Sequence, residues 1–279
     1  GTEDLKEYIN PFPTVHLSYA FNKFESVQLS YSRRINRPGF WELNPFYSYD
    51  NPLSFRSGNP DLDPEFTNSL ELGYLVFKNK WNVNPAVYVR HTTGVIQRIQ
   101  FVQDGVTISR PENANTQLSY GIELTGTYKP WKWWTLNGTI NGYGAQLDGT
   151  NIQDGAQRDF FTYTVQASSM MRLPKDINVQ LRGNYEAERE TAQGRRLSIW
   201  RMDLAITKDF WDKKANASFK IQDVFNSRIR RSESSGADFQ IYQEGRWRPR
   251  MFIIGFTYRL NPNERDTSRG SRDFDGGGE

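Results

Sequence analysis

Few residues of this chain combine the types and spacing that catalysis or metal binding requires. The chain contains two histidines, His16 and His91, and no cysteine. Neither histidine has an acidic neighbour in sequence, and no Gly-x-Ser-x-Gly motif presents a serine nucleophile. Closely spaced His or Cys ligands for zinc are also absent. We therefore predict no catalytic residue, no resident metal and no cofactor, and we do not expect an enzyme.

Aromatic residues of one polar segment are candidates for binding a ligand. Between Pro38 and Phe66, aromatic side chains stand among Asn and Pro residues; those that we single out are Trp41, Phe46, Tyr47 and Tyr49. Such rings stack on sugars and other flat ligands. The alternative is a packed loop in which Gly58–Pro64 makes fixed turns. The sequence leaves both interpretations open.

Arginines near the end of the chain are the second set of candidate ligand-binding residues. Arg228, Arg230 and Arg231 begin a polar segment, and three further arginines stand at its far end. A cluster of this kind attracts an anionic ligand or the phosphates of lipopolysaccharide. We select Arg230 and Arg231 as candidates, and the alternative is a solvated rim.

The elements that must position these residues are strands, because apolar residues recur at every second position. Side chains of a strand point alternately to its two faces, so each segment has one apolar and one polar face. The pattern predicts eleven strands and no helix. These strands are Thr14–Phe21, Ser26–Tyr31, Leu70–Val76, Val83–Arg90, Leu118–Tyr128, Trp134–Asn141, Phe161–Arg172, Ile177–Tyr185, Trp200–Thr207, Ala215–Gln222 and Phe252–Leu260.

Connections of alternating length favour a membrane barrel over a soluble sandwich. Tight turns such as Asn22–Glu25 and Lys78–Lys80 alternate with long polar connections such as Pro38–Phe66, Glu188–Arg196 and Ser232–Gly245. The connection near Gln103–Val106 is short, but its flanking strands look longer than a bilayer requires. Outer-membrane barrels have short periplasmic turns and long outer loops. We therefore predict an all-β, transmembrane antiparallel β-barrel with the long loops outside.

Aromatic residues flank the tight turns. Amphipathic rings prefer the bilayer interface, so we predict an inner aromatic girdle rather than core aromatics at sheet ends. The girdle residues are Phe77, Trp81, Tyr128, Trp131, Trp134, Phe210, Trp211 and Tyr258.

The polar faces of the strands carry charges that a packed core would not tolerate. Burying them unpaired would cost several kcal/mol each, whereas a wet or plugged lumen removes that cost. We predict that four of them either contact a plug by ion pairs or only solvate the pore wall, and both alternatives stay open. They are Glu123, Arg182, Arg201 and Asp203.

Composition agrees with this class of protein. The mean hydropathy is −0.73, and no stretch of 18 apolar residues predicts a helical span. A barrel strand faces lipid with every second residue only, so low hydropathy does not exclude a membrane barrel. The net charge is +3, from 35 basic and 32 acidic residues, and nucleic acid is therefore not expected as a partner.

An odd strand number has a consequence for closure. Eleven antiparallel strands leave the two chain ends on opposite sides of a membrane, while bacterial single-chain barrels have even numbers. An unpaired strand edge is not tolerated in lipid. We therefore expect further strands from an upstream segment or another chain, which would bring the total near the 22 strands of plugged transporters.

Several segments resemble TonB-dependent receptor barrels, most closely the outer-membrane barrel family common in Bacteroidetes. The resemblance covers roughly residues 12–260 and rests on YSRRINRPGFWELNPF (Tyr31–Phe46), GNPDLDPEFTNSLELGY (Gly58–Tyr74), DVFNSR (Asp223–Arg228) and GFTYRL (Gly255–Leu260). It implies a 22-stranded barrel with an N-terminal plug, of which this chain would form the C-terminal half. The plug, the TonB-contacting segment and the first half of the barrel are absent from this sequence.

The resemblance implies nutrient or siderophore uptake across the bacterial outer membrane. Residues 1–260 would form the C-terminal half of the barrel, and residues 261–279 a polar, disordered periplasmic tail. Expected partners are outer-membrane lipid and lipopolysaccharide, the missing plug and barrel half, the TonB machinery through that plug, and a surface lipoprotein. One alternative is a non-transporting structural or docking barrel in a larger complex. The other is a soluble carbohydrate-binding β-protein.

Overall fold

Antiparallel strands account for nearly all of the regular structure. The computed structural model describes residues 10–51, 53–153, 155–236, 239–246 and 248–260, so the predicted tail 261–279 lies outside the described residues. In chain order the elements are β1 (Thr14–Asn22), β2 (Glu25–Asn36), α1 (Phe40–Leu43), β3 (Ser48–Asn51), β4 (Ser54–Arg56), β5 (Glu65–Phe77), β6 (Trp81–Gln103), β7 (Val106–Trp131), β8 (Trp134–Asp148), β9 (Gln157–Leu173), β10 (Ile177–Glu186), β11 (Arg189–Thr191), β12 (Gly194–Arg196), β13 (Ile199–Phe210), β14 (Ala215–Gln222), β15 (Arg230–Ser235), β16 (Gln240–Gly245) and β17 (Met251–Tyr258).

Eleven long strands form one antiparallel sheet, which we call the wall. Its order is β1-β2-β5-β6-β7-β8-β9-β10-β13-β14-β17, so consecutive long strands are always neighbours. The predicted count of eleven strands is confirmed. β1 and β17 are the two ends of this order and do not pair with each other within the described part of the chain. The wall is therefore an open sheet here rather than a closed cylinder.

The two faces of the wall differ as the alternation predicts. On the apolar face, Leu17 is 60 % exposed, Ile122 61 % and Ile254 82 %. A soluble sandwich would bury these side chains against a second sheet. Because they are exposed, the soluble-sandwich alternative is wrong, and this face is the one that contacts lipid in a barrel.

The connections separate the wall into two ends. Tight turns join β1 to β2, β5 to β6, β7 to β8, β9 to β10 and β13 to β14 at one end. Four of the connections at the opposite end are long, and the fifth is a two-residue turn in which Asp104 and Gly105 both have positive φ. Two-residue hairpin turns with positive φ at both central residues are favoured, because their backbone twist matches that of the flanking strands. We call the two ends the tight-turn end and the loop end.

The loop end contains more regular structure than the sequence predicts. β6 and β7 run for 23 and 26 residues, whereas a tilted strand crosses a bilayer with about 9–11 residues, so the prediction that these strands are longer than a bilayer requires is confirmed. The connections predicted as loops at Glu188–Arg196 and Ser232–Gly245 form a separate sheet of order β11-β12-β15-β16, which we call the outer sheet. The prediction of no helix is also wrong, since α1 makes one turn in which the Gly39 N–H donates to Glu42 Oε2 at 2.8 Å.

A small apolar cluster holds the outer sheet against the wall. It consists of Val95, Ala114, Leu147, Ala156 and Ala192, all at most 5 % exposed. Ala192 lies at the tip of the β11–β12 hairpin, which starts from β10, whereas Val95 lies on β6, four positions away in the wall. At about 4.8 Å per strand that is roughly 20 Å along the sheet. The hairpin therefore reaches across the loop end of the wall from β10 to β6.

Candidate functional site

The extended β6–β7 hairpin anchors the outer sheet through the side chain of Gln193. The Gln100 N–H donates to Gln193 Oε1 at 2.6 Å, and Gln193 Nε2 donates to the Gln100 carbonyl at 2.9 Å and to Gln153 Oε1 at 2.9 Å. The amide thus pairs with an edge of β6 as another strand would. Gln193 is 7 % exposed, so these bonds are shielded from water and fix the position of the hairpin tip.

A second amide side chain anchors the segment that precedes β5. The Asp63 N–H donates to Asn113 Oδ1 at 2.8 Å, and Asn113 Nδ2 donates to the carbonyls of Asp63 at 2.9 Å and Gly94 at 2.7 Å. Gly58 is required nearby, because a Cβ there would lie 2.6 Å from backbone atoms of Glu42 and Asn44. Gly58–Pro64 is therefore held by fixed contacts with β6, β7 and the residues of α1.

The aromatic candidates lie on the outside of this segment and are exposed. Trp41 is 73 % exposed, Phe46 80 % and Tyr49 71 %, and Tyr47 is also exposed. The ring of Phe55 contacts two of these rings, with its centroid 5.9 Å from that of Tyr47 and 4.7 Å from that of Tyr49. The backbone that carries Tyr49 and Phe55 is fixed, because β3 pairs with β4 and β4 pairs in parallel with β7. The packed-loop interpretation thus describes the backbone, while the rings remain accessible to a ligand.

The register of the outer sheet separates the arginine candidates onto two faces. Arg189 lies opposite Arg196, Arg196 lies opposite Ser232, and Arg230 is two residues from Ser232. Residues directly opposite, or two apart on one strand, share a face. Arg189, Arg196 and Arg230 therefore form one surface, which we call the arginine face.

The opposite surface of the outer sheet is neutralised by ion pairs, and we call it the ion-paired face. Arg195 Nε donates to Glu233 Oε2 at 2.7 Å, and its Nη1 donates to Glu188 Oε1 at 2.8 Å. Arg231 Nε donates to Glu244 Oε2 at 3.0 Å. These contacts raise the pKa of Arg231 and lower that of Glu244. Arg230 and Arg231 are therefore not brought together as a pair.

The arginine face is turned towards the wall. Gln243, which lies opposite Ser232 and so shares the arginine face, accepts a hydrogen bond from Gln100 Nε2 of β6 at 3.4 Å. Arg189 and Arg196 are not among the site residues predicted from the sequence. Only the pairing of β11, β12 and β15 brings them together, and no local sequence signal encodes that register.

A turn after β14 adds Arg228 to the arginine face. The buried Asp223 folds this turn, since its Oδ1 accepts from the Ser227 N–H at 2.9 Å and its Oδ2 accepts from the Arg228 N–H at 3.0 Å. Desolvation, and then the positive charges of Arg201 and Arg230, lower the pKa of Arg228. Desolvation, and then Arg189 and Arg230, likewise lower the pKa of Arg196.

The charged residues predicted inside the barrel fall into two places. Arg182 lies opposite Asp203 in the pairing of β10 with β13, and Arg201 Nε lies 3.8 Å from Asp203 Oδ2. Asp203 is 8 % exposed and also accepts from the Asp223 N–H at 2.9 Å. Glu123 stands apart on β7, three positions from β10. The polar face of β10 and β13 therefore continues into the turn that carries Arg228.

The predicted girdle residues lie at or near the tight-turn end. The indole rings of Trp131 and Trp134 stack at 5.4 Å between centroids, and the rings of Trp211 and Tyr258 meet edge to face at 6.2 Å. Phe77 and Trp81 flank the β5–β6 turn, Tyr128 pairs with Trp81 across β6 and β7, and Phe210 ends β13. Their contact with the bilayer interface stays a prediction.

The two histidines are far apart in the wall. His16 lies on β1 and His91 on β6, with β2 and β5 between them. In the residues that the structure describes, no group of three or more His, Asp or Glu side chains could hold a metal ion. No helix among them is long and apolar enough to cross a membrane.

Solved structures with the same fold are receptors and a transporter of larger size. The siderophore receptor PirA from Pseudomonas aeruginosa has a TM-score of 0.54 and 16 % identity, over 78 % of this chain and 39 % of that one. The ferric yersiniabactin uptake receptor FyuA from Yersinia pestis gives 0.57 and 13 %, over 88 % and 36 %. The FrpB iron transporter from Neisseria meningitidis gives 0.56 and 14 %, over 89 % and 38 %.

These likenesses establish the fold, and the chain spans less than two fifths of the length of each of these receptors. A comparison with curated protein sequences finds no match. A family model, in contrast, covers the wall and the outer sheet together, from residue 1 to residue 258. The chain therefore belongs to the outer membrane protein β-barrel family and lies in the bacterial outer membrane.

Proposed function

We propose that this chain is the C-terminal wall and outer-loop portion of a TonB-dependent transporter that takes up a nutrient or siderophore across the outer membrane. The observation that carries the proposal is the chemistry of the polar face of the wall. Glu123, Arg182 and Arg201 lie on strands whose opposite face is apolar, and on β7 and β13 that face includes exposed residues such as Ile122 and Trp200. A polar inner face suits a lumen that holds a plug and passes a polar solute.

Open edges of the wall support the same proposal. β1 and β17 are unpaired with each other within the described ranges, and an unpaired edge in lipid costs several kcal/mol per backbone group. Further strands of the same receptor would close the wall to about 22 strands. On the inner face, Asn84 Oδ1 and Asn184 Nδ2 are buried without a hydrogen-bond partner within the described residues. A plug would supply such partners, and coupling to the TonB machinery would run through it.

Accessibility of the inner face to a thiol reagent tests the proposal. Glu123→Cys would place a thiol in the lumen of the full-length receptor, and the neighbouring Ile122→Cys would place one on the lipid face as the control. In whole cells we expect a membrane-impermeant maleimide to label Glu123→Cys several-fold faster when the membrane is energised than after a protonophore. Ile122→Cys should stay unlabelled.

Two other results would contradict the proposal. Labelling of Glu123→Cys that is equally fast with and without the protonophore would favour the non-transporting docking barrel. Rapid labelling of Ile122→Cys would show that the apolar face is not covered by lipid.

A further inference from the structure

The two faces of the outer sheet carry arginines in opposite electrostatic situations. On the ion-paired face, Arg195 and Arg231 each lie within 3.0 Å of a carboxylate. On the arginine face, Arg189 and Arg196 face each other directly across β11 and β12. Like charges opposite one another destabilise a sheet. Within the described ranges, no carboxylate forms an ion pair with Arg189, Arg196 or Arg230.

Carboxylates near the arginine face are few and already occupied. The charge of Glu186 acts on Arg196, and that of Asp203 acts on Arg228. Asp203 also accepts the Asp223 N–H and lies near Arg201, while both oxygens of Asp223 accept bonds that hold the turn. Arg248 adds a further positive charge near Arg228. The surface therefore keeps a net positive charge that the fold itself does not neutralise.

From this arrangement we infer that the arginine face, together with Arg228, is a binding site for a solute that carries two or more phosphate or carboxylate groups. Arg189 and Arg196 stand directly opposite, a separation of about 5 Å between Cβ atoms, and Arg230 is the diagonal neighbour of Arg196 at about 7–8 Å. Each guanidinium is a planar fork that holds a phosphate or carboxylate through two parallel hydrogen bonds.

The position of the site identifies the solute as one on its way into the barrel. The arginine face is turned towards β6 through the Gln243–Gln100 contact, and Arg228 connects it with Arg201 on the inner face of β13. Lipopolysaccharide phosphates lie around the outside of a barrel, whereas these arginines line its mouth. The inference rests on the proposed function for the fate of the solute, but binding itself needs no energy source.

Calorimetric titration of the purified full-length receptor in detergent tests the inference, with sodium tripolyphosphate as the probe at low salt. The test variant is Arg196→Gln combined with Arg230→Gln. The matched control is Arg231→Gln combined with Arg246→Gln, which removes the same charge from the ion-paired face of the same sheet. We expect the test variant to bind about tenfold or more weakly, and the control to stay within about twofold.

A conservative variant guards against a folding defect. Arg196→Lys combined with Arg230→Lys keeps the charge and removes the fork, so an affinity between those of the wild type and the Gln variant is expected. Equal losses in the test and control variants would overturn the inference, because they would show an effect of net charge alone. Unchanged affinity in the test variant would also overturn it.

A second readout separates the two sources of phosphate. The lipopolysaccharide that copurifies with each variant is quantified from its lipid A phosphate, and it should be the same in the wild type and the test variant. Loss of lipopolysaccharide with unchanged tripolyphosphate binding would overturn the assignment to the barrel mouth. The titration is done without TonB, so its outcome is independent of the labelling experiment. Failure of the titration would overturn the binding site alone, and failure of the energised labelling of Glu123→Cys would overturn the proposed function alone.

Discussion

The wall and the outer sheet are both antiparallel, but they are stabilised in different ways. In the wall, each strand is specified by alternation, because one face meets lipid and the other meets a polar interior. In the outer sheet, specific side chains such as Gln193 and Arg195 bond to distant backbone or carboxylate groups. The environment therefore positions the wall, whereas individual contacts position the surface that would meet a ligand.

A charge on the lipid face of the wall is the largest perturbation that this comparison predicts. Leu72→Arg on β5 should destabilise the folded full-length receptor by about 2–4 kcal/mol, because Leu72 is 46 % exposed on the apolar face. The neighbouring Glu71→Arg changes the polar face and should cost within about 0.5 kcal/mol. Urea unfolding in lipid vesicles measures both, and equal effects would show that the faces are not distinguished by lipid.

Loss of the Gln193 side chain should have a smaller effect that is confined to the outer sheet. Gln193→Ala leaves the backbone N–H and carbonyl of Gln100 without these partners, at a cost of about 1–3 kcal/mol. Amide exchange of β11, β12 and β15 should accelerate, while exchange in β8 and β9 stays unchanged. Gln240→Ala, at an exposed position of the same sheet, is the control. Acceleration throughout the wall would contradict the separation of the two regions.

A weak pH dependence is the smallest expected effect. Arg231 lowers the pKa of Glu244, so their interaction stabilises the β15–β16 hairpin above the unfolded-state pKa of about 4.3. This contribution is lost as the pH falls through the lower pKa of the folded state. After correction for intrinsic rates, amide exchange of Arg231–Ser235 should increase slightly towards pH 3, and the increase should be absent in Glu244→Gln. A larger increase of amide exchange in the wall strands would contradict the assignment of this pH dependence to the outer sheet.

Sequence predicted the wall well and the outer sheet poorly, for one physical reason. Alternation marks a strand when its two faces meet different surroundings, so the prediction Ile177–Tyr185 matches β10 to within one residue, and Leu70–Val76 lies inside the longer β5 (Glu65–Phe77). The strands of the outer sheet have short polar sequences with no apolar side. Without strands there is no register, and without register Arg230 and Arg231 cannot be assigned to different faces.

The candidate site was therefore predicted only in part. Arg230 and the exposed rings of Trp41, Phe46 and Tyr49 lie at the loop end as expected, while their part in binding a ligand stays a prediction. The clustering of Arg189 and Arg196 with Arg230 depends on strands that are far from each other in sequence, and Gln193, which fixes them, looks like an ordinary polar loop residue. The one feature of the sequence that could have drawn attention to Gln193 is its position between Arg189 and the pair Arg195–Arg196.

The strand order of the wall also bears on how it can be assembled. Every neighbour in that order is the next long strand along the chain, so each pairing closes a hairpin and the sheet can grow one strand at a time. In the proposed receptor, only the joining of β1 and β17 to further strands would require contacts from outside this strand order. During assembly, β1 and β17 would be unpaired edge strands, and their free backbone N–H and C=O groups could pair with a strand of any other chain. If further strands of the receptor close the wall as proposed, the cell must keep both edges away from other chains until those strands have paired with them.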